Sequence, residues 1–251
     1  KQKTAYEIYQ CDWSSDVCSS DLSIVMKIAD DTINILKNFS TINEGIMIRK
    51  GKVLETISKE KNILARAEVA DEFSEELGLY DINSFLGTLS MNGNEIEFNG
   101  TTDVIIKGFN GKSKTKWRKT PENMIVVPPN KSINMDNAEI SFELTEDEIK
   151  WFSRAASMLS APNIVFASDG QTVEVKCFDI KNDASNINTT EIDAKGNGKN
   201  YNMIFSTDNL KFIEGSYDVK ISSKGIAQFK NTKLDIQYWI AIEASASKFE
   251  G

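Results

Sequence analysis

Carboxylates are the side chains in this sequence best suited to acid–base or metal chemistry, but they do not form a recognisable site. The 251 residues include 37 aspartates and glutamates but no histidine, so the commonest general base and transition-metal ligand are missing. The densest acidic group, Asp71, Glu72, Glu75 and Glu76, has no second ligand cluster and is interpreted as a solvated loop. We therefore expect a protein that is not an enzyme and has no catalytic residues, metal site or cofactor.

Basic side chains recur on the outer faces of the predicted helices, a pattern suited to phosphate contact. Lys150 and Arg154 are four residues apart, and Ser157 continues the same strip. Lys37 and Lys211 lie opposite the apolar positions of two other predicted helices. Such local positive charge suits sequence-independent binding to a phosphate backbone. A solvated helix face gives the same pattern, and the net charge of −8 argues against a protein that binds nucleic acid through its total charge.

A second basic group surrounds Trp117 and alternates along one short segment. The alternation fits one face of a strand, which could contact DNA or the acidic edge of another subunit. A solvated edge strand that discourages aggregation explains the pattern equally well, so the role of this segment stays open. The basic residues are Lys112, Lys114, Lys116, Arg118 and Lys119.

The elements that must position these side chains follow the same order twice. The first half begins with a strand around 26–29 and continues with a helix that buries Ile35 and Phe39. A strand pair, a helix that begins after Asp81, and hairpin-like strands follow. This order of strand, helix, strands, helix and strands defines the first unit.

The second half repeats that order at an offset of roughly 116 residues. A strand at 140–144 precedes a helix that begins with a capping box of Thr145 and Glu148. A strand pair follows, then a predicted helix through Leu210 and Ile213, then further strands. The repetition predicts a duplicated α+β unit with two helices packed on antiparallel sheet in each copy.

The domain limits follow from the repeat and from the prolines. We expect similar domains at 26–120 and 137–251, joined by a linker at 121–136 that contains three of the four prolines. Residues 1–22 fit neither unit, because Asp12–Leu22 reads as the translation of a sequencing-library adapter. We interpret 1–22 as an assembly artefact and expect the protein to begin at Met26.

The remaining composition indicates a protein of the reducing cytoplasm. Without residues 1–22, Cys177 is the only cysteine, so no internal disulfide can form. No apolar run approaches the ~20 residues that a membrane helix requires, and no membrane association is expected.

Four segments resemble the sliding clamp, or DNA polymerase processivity factor, of T-even-like bacteriophages. The segments are LKNFSTINEGIM at 36–47, YDINSFLGTLS at 80–90, VVPPNK at 126–131 and AIEA at 241–244. The similarity extends over essentially all of 26–251. It implies the DNA clamp fold in a head-to-tail homotrimer, a ring whose helices line the hole and whose strands form the outer layer.

That resemblance also implies how the ring contacts duplex DNA. Lys37, Lys150, Arg154 and Lys211 would face the DNA channel and make loose, sequence-independent contacts, so that no single one is essential. Asp30 stands where relatives tend to carry a lysine, which implies a less positive channel here. Retention on DNA would then depend more on enclosure than on charge.

The partners implied by the resemblance are those of phage DNA replication in the cytoplasm of the infected bacterial host. They are an ATP-driven clamp loader, the phage DNA polymerase and late transcription factors. Their tail peptides would dock in apolar pockets near the linker or at subunit junctions, which makes Met124, Val126, Val127 and Pro128 candidates, with ordinary linker packing as the alternative. The alternative function is that of a duplicated-domain phage structural or virion protein without clamping activity.

Overall fold

The computed structural model describes residues 24–250, so the interpretation of residues 1–22 as an artefact concerns a segment outside that range. The first half is built from two helices and several antiparallel strands. These elements are β1 (Ile24–Lys27), α1 (Asp30–Ile42), β2 (Ile46–Ile48), β3 (Gly51–Ile57), β4 (Ile63–Phe73), β5 (Leu77–Leu79), α2 (Ile82–Ser90), β6 (Glu95–Asn99), β7 (Asp103–Gly108) and β8 (Ser113–Arg118).

The second half repeats the pattern with one α-helix. Short 3-10 turns lie at Glu122–Met124 in the linker and at Thr207–Asn209. The regular elements are β9 (Ile140–Leu144), α3 (Glu146–Leu159), β10 (Asn163–Asp169), β11 (Thr172–Phe178), β12 (Asn188–Lys195), β13 (Asn200–Ser206), β14 (Tyr217–Ser222), β15 (Ile226–Asn231), β16 (Ile236–Ala241) and β17 (Lys248–Glu250).

The strands form antiparallel sheets, and one sheet joins the two halves. The first half has a sheet in the order β1-β6-β7-β8 and a small β2-β5 pair, and the second half has a sheet in the order β12-β11-β10-β13-β17. A six-stranded sheet runs β3-β4-β16-β15-β14-β9, so β4 of the first half pairs with β16 of the second. The two halves therefore share a continuous sheet, while the domain limits at 26–120, 121–136 and 137–251 stay predictions.

Helix α1 is stabilised by its apolar face, and its ends are weakly capped. Ile35, Leu36 and Phe39 are buried against the sheet, as their helical spacing predicts. The N-cap residue Ala29 has no capping side chain. Asp30 and Asp31 in the first turn interact favourably with the helix dipole.

Helices α2 and α3 begin at the residues predicted to cap them. Asp81 accepts hydrogen bonds from the backbone and the hydroxyl of Ser84, and these bonds lower the pKa of Asp81. The capping box at α3 is complete, with the Glu148 amide donating to Thr145 and the Thr145 amide donating to Glu148. The last turn of α3 ends at Ser160 in a left-handed conformation, before Pro162.

The helix predicted through Leu210 and Ile213 is wrong in extent, because the chain forms only the 3-10 turn at Thr207–Asn209 there. Leu210 has non-helical dihedral angles, and Leu210, Phe212 and Ile213 pack on the core without forming one helical stripe. Two buried tyrosines bind the freed backbone of Ile213: Tyr238 accepts from its amide, and Tyr217 donates to its carbonyl. Tertiary hydrogen bonds thus replace the helical ones.

Candidate nucleic-acid and partner interfaces

The outer faces of α1 and α2 are polar and carry little charge. On α1 the exposed residues include Asn34 and Lys37, and no ion pair of Lys37 is found within residues 24–250. On α2 they are Asn83, Ser84 and Ser90, with no basic residue in the helix. Small polar groups with few fixed charges suit loose, water-mediated contact with a phosphate backbone.

The basic strip on α3 is exposed as predicted, and part of its charge is already paired. Lys150 donates to Glu146 at 2.5 Å and lies 3.9 Å from Glu214, and the hydrogen bond with Glu146 raises the pKa of Lys150. Arg154 has no ion pair within the described residues and borders an apolar hollow on the same helix. The positive charge of Arg154 is therefore more available to a phosphate group than that of Lys150.

Lys211 has a structural contact that the sequence did not predict. Its ammonium group donates to the Thr41 carbonyl at 2.7 Å, at the C-terminal turn of α1, which has no basic residue of its own. Its carbonyl accepts from Asn38, and Asn38 in turn accepts from the buried Tyr238 hydroxyl at 2.7 Å. Lys211 thus joins the second half of the chain to α1, and its placement in a DNA channel stays a prediction.

We expect the Lys211→Ala substitution to lower the free energy of unfolding by about 0.5 kcal/mol, because it removes a cation from a helix C-terminus. Urea unfolding followed by circular dichroism measures this change. Lys37→Ala serves as the matched control, since Lys37 is an exposed lysine of α1 without such a contact. Equal stability of the two variants would show that the Lys211 contact contributes nothing.

The linker lies over two cavities, and only part of the predicted peptide site lines them. Met124 and Val126 are exposed to solvent, and the Val126 carbonyl accepts from Asn43. Val127 and Pro128 border both cavities. The predicted segment thus borders two cavities whose floors are formed by other side chains, and its role in binding partner peptides stays a prediction.

One cavity is apolar and the other is basic. The apolar cavity has a volume of about 490 Å³, and the linker covers part of it. The basic cavity has a volume of about 240 Å³ and lies across the linker from the first. The apolar cavity is lined chiefly by Ile57, Leu64, Ile226 and Trp239, and the basic cavity by Arg49, Lys50, Glu55 and Arg66.

An exposed apolar surface on α3 was missed by the sequence reasoning. Met158 is 80% exposed, Trp151 is 54% exposed and Ile187 is 58% exposed, around a hollow of about 290 Å³. The Trp151 indole donates to the Thr190 hydroxyl, which ties this surface to β12. Trp151, Ala155 and Met158 lie at helical spacing beside the buried stripe, and this second stripe was the available signal. We call Trp151, Met158 and Ile187 the α3 patch.

Two edge strands in different halves of the chain carry opposite charge. Within the described residues, β8 pairs only with β7, and β12 pairs only with β11. The exposed positions of β8 include Lys114 and Lys116, whereas those of β12 include Glu191 and Asp193. The Asp193 amide already donates to Glu148 of α3, and the other outward backbone groups of each edge lie beside charges that complement those of the other edge.

The basic run around β8 divides into paired and free residues. Hydrogen bonds from Thr102 and Lys116 lower the pKa of the buried Asp103, and Arg118 lies 3.9 Å from the same carboxylate. Lys119 has a side chain only 10% exposed and pairs with Glu75 at 2.7 Å. The free positive charge is therefore concentrated at Lys112 and Lys114.

None of the helices within residues 24–250 is long and apolar enough to cross a membrane.

Comparison with known proteins shows which class of protein this molecule resembles. Residues 28–127 match the family model described as DNA polymerase processivity factor. Among solved structures, the proliferating cell nuclear antigen (PCNA) of A. fulgidus, bound to the C-terminal region of FEN-1, superposes with a TM-score of 0.65 at 12% identity, over 88% of this chain and 98% of that one. PCNA from Entamoeba histolytica superposes with a TM-score of 0.61 at 11% identity, over 84% and 94%. The fold is therefore the DNA clamp fold, as predicted.

Phage proteins of the same class extend the likeness over most of the chain. The sliding clamp of Escherichia phage RB69 is 29% identical over 231 residues, 88% of this chain and 99% of the relative. That of Enterobacteria phage T4 is 28% identical over 228 residues, 88% and 99%, and that of Vibrio phage KVP40 is 25% identical over 233 residues, 87% and 100%. The resemblance to phage sliding clamps that the sequence segments indicated is thus confirmed over most of the chain. Sliding clamps are processivity factors and not enzymes, as was expected of this protein.

Proposed function

We propose that three copies of this chain close head to tail around duplex DNA and tether the phage DNA polymerase to it. The observation that carries this proposal is the pair of complementary edges, basic on β8 and acidic on β12. The edges are different surfaces of one subunit, so their contact is heterologous and generates a ring when the rotation closes. Antiparallel pairing of β8 with β12 of the next subunit would satisfy both edges and extend the outer sheet.

Exposed apolar side chains beside both edges support the same assembly. The α3 patch lies next to β12. In the first half, Met91 is 81% exposed after α2, and Phe109 is 75% exposed in the turn before β8. Exposed apolar surface next to an unpaired strand edge is typical of a protein interface. Association removes the apolar side chains from water and pairs the backbone groups of the edge.

The helices would then line the DNA channel, with Lys37, Lys150 and Arg154 as its basic residues. Acidic residues accompany them, including Asp30, Asp31 and Glu146, so the attraction to DNA is weak. A weakly charged channel allows sliding, and enclosure by the ring provides the retention. The low charge of the helices thus agrees with a clamp better than with a protein held on DNA by affinity.

The partners proposed for the ring are a loader, the polymerase and late transcription factors. An ATP-driven loader would open one subunit contact, since contacts between edge strands and small apolar patches are separable. Tail peptides of the polymerase and of late transcription factors would occupy the apolar cavity beside Val127 and Pro128. The site of action would be the cytoplasm of the infected bacterial host.

Retention on circular DNA tests this function. The labelled full chain is loaded onto a nicked circular duplex at high protein concentration with a crowding agent, and the agent is then removed by gel filtration. We expect the protein to elute with the circle, even at about 0.5 M salt, because enclosure does not depend on counterions. Cutting the circle should release it.

The helix-face residues provide the internal comparison for this experiment. Single alanine substitutions at Lys37, Lys150 or Arg154 should leave retention on the circle intact, since each charge contributes little by itself. Equal retention on circular and linear DNA, or no retention on either, would contradict the proposed function.

A further inference from the structure

Four asparagines of this chain are each followed by glycine, a pair that is prone to lose the asparagine side-chain amide. They are Asn92, Asn99, Asn110 and Asn197. Glycine has no side chain to shield its amide nitrogen, and its backbone adopts the angles that bring this nitrogen to the preceding side chain. The reaction also requires a mobile asparagine and a free glycine amide. The fold therefore decides which of the four pairs react.

The pair at Asn197 is held by hydrogen bonds on both sides. The Asn197 side chain donates to the Glu139 carbonyl at 3.2 Å. The Gly198 amide, which would be the attacking nitrogen, donates to the Gly170 carbonyl at 3.0 Å. Both bonds must break before the two groups can meet, so this pair is protected.

The pairs at Asn92 and Asn99 are restrained less completely. The Asn92 side chain donates to the Thr88 carbonyl at 2.8 Å, and its oxygen occupies the space that a side chain at Gly108 would need. Asn99 is exposed, but it is the last residue of β6 and its backbone is held in register with Asp103 of β7. We expect Asn92 to be protected by its side-chain contacts and Asn99 to be slowed by the sheet.

Asn110 is the pair that the fold leaves free. It lies with Gly111 in the turn at 109–112 between β7 and β8, and both residues are exposed. Within residues 24–250, the Asn110 side chain has no hydrogen-bond partner and the Gly111 amide has no acceptor. Neither the side chain nor the nitrogen is therefore restrained.

Positive charge beside this turn favours the same reaction. Lys112 and Lys114 follow the pair, and the Lys112 ammonium lies 5.9 Å from the centre of the Phe109 ring in the turn. The attacking species is the deprotonated glycine nitrogen, and the attack places negative charge on the side-chain oxygen. Nearby cations stabilise both negative charges.

We propose that Asn110 is a site of spontaneous deamidation, and that it reacts faster than Asn99, with Asn92 and Asn197 slowest. The Gly111 nitrogen forms a bond to Cγ of Asn110, and the bond from Cγ to Nδ2 breaks. The side-chain nitrogen leaves as ammonia together with the proton of the Gly111 amide. Water then opens the cyclic imide to aspartate or isoaspartate, and no oxidant, reductant or enzyme takes part.

Deamidation would add a negative charge to the turn that leads into the basic β8 edge. In the proposed ring this edge faces the acidic β12 edge of the next subunit, so the new carboxylate meets like charges. Modified subunits should therefore assemble less tightly than unmodified ones. This consequence rests on the proposed function, whereas the reaction at Asn110 does not.

Peptide mapping by mass spectrometry measures the reaction at each pair. The full chain is incubated in dilute solution at neutral and mildly alkaline pH, and samples are digested at intervals. We expect Asn110 to react about tenfold faster than Asn197, which must first lose the Gly198 hydrogen bond. The rate should rise with pH, because the nucleophile is the deprotonated amide. In urea, where the fold is lost, the four pairs should react at similar rates.

Three variants separate the reaction from its effect on assembly. Asn110→Gly removes the reactive group and suits the local φ of 54°, so it should stop the reaction in this turn. Asn110→Asp has the charge of the product and should raise the dissociation concentration about threefold in light scattering. Asn130→Asp adds the same charge at an exposed linker position and should assemble like the unsubstituted chain.

Equal rates at Asn110 and Asn197 in the folded chain, or no reaction at Asn110, would overturn the inference. Unchanged assembly of the Asn110→Asp chain would overturn its consequence for the ring. The reaction is measured on single subunits and does not require assembly, whereas retention on circular DNA is measured on the unmodified chain. Failure of the inference is therefore distinguishable from failure of the clamp function.

Discussion

The Met158→Asp chain is expected to fold normally and to remain a single subunit at concentrations where the unsubstituted chain is a trimer. Met158 is 80% exposed within the subunit, so a carboxylate there costs the fold little. In the proposed ring the same position lies in an apolar contact, where burying an unpaired carboxylate is strongly unfavourable. Because one substitution changes every contact of a homotrimer, we expect the ring to be lost. Sedimentation velocity measures the change.

Met124→Asp is the matched control for this substitution. Met124 is also a strongly exposed methionine, at 60%, but it lies in the linker and not beside an edge strand. This variant should sediment like the unsubstituted chain. A trimer that persists in the Met158→Asp chain would exclude the α3 patch from the subunit contact.

Reversing the charge of one edge is expected to weaken the subunit contact by roughly tenfold per interface, because like charges then face each other across the paired strands. The variant combines Glu191→Lys with Asp193→Lys on β12. Adding Lys112→Glu, in the turn before β8, and Lys114→Glu, on β8, to the same chain restores opposite charges and should restore the ring. The dissociation concentration of each variant follows from light scattering.

The four-residue exchange separates charge complementarity from simple damage to the strands. A chain with all four substitutions has more changes than either parent, so recovery of assembly cannot come from improved folding. If the fourfold variant assembles no better than the β12 variant, the two edges do not face each other.

The parts of the fold that could be predicted are those with local signals. The capping box of Thr145 and Glu148 fixed the start of α3, and the apolar spacing of α1 fixed its buried face. The helix predicted near Leu210 failed because its backbone is held by Tyr217 and Tyr238, which lie further along the chain. No local sequence pattern indicates that distant side chains will bind this backbone in place of helical hydrogen bonds.

The candidate sites likewise contain residues that could be predicted from the sequence and residues that could not. The resemblance to sliding clamps made Val127 a candidate for partner binding, and in the structure it borders a cavity at the linker. The basic cavity could not be predicted, since Arg49 and Arg66 lie far from the linker in sequence and meet it only through the sheet. Lys211 was assigned to DNA from its position opposite apolar residues, whereas its ammonium binds the end of α1, a contact between the two halves.

The low charge of the helices bears on how the proposed ring would stay on DNA. Within α1 and α3, acidic residues at the helix starts oppose Lys37, Lys150 and Arg154, and α2 carries no charge. Affinity for phosphate alone is then too weak to hold one subunit on DNA at physiological salt. The proposed function therefore depends on closure of the ring, which is its central claim.

Molar mass in solution tests that claim most directly. Light scattering on the full chain across a dilution series should approach three times the subunit mass at high concentration and fall towards one subunit mass on dilution. That result would show that the chain assembles as the proposed trimer. A single subunit at every concentration, or a stable dimer, would contradict the closed ring and with it the account of how this acidic protein stays on DNA.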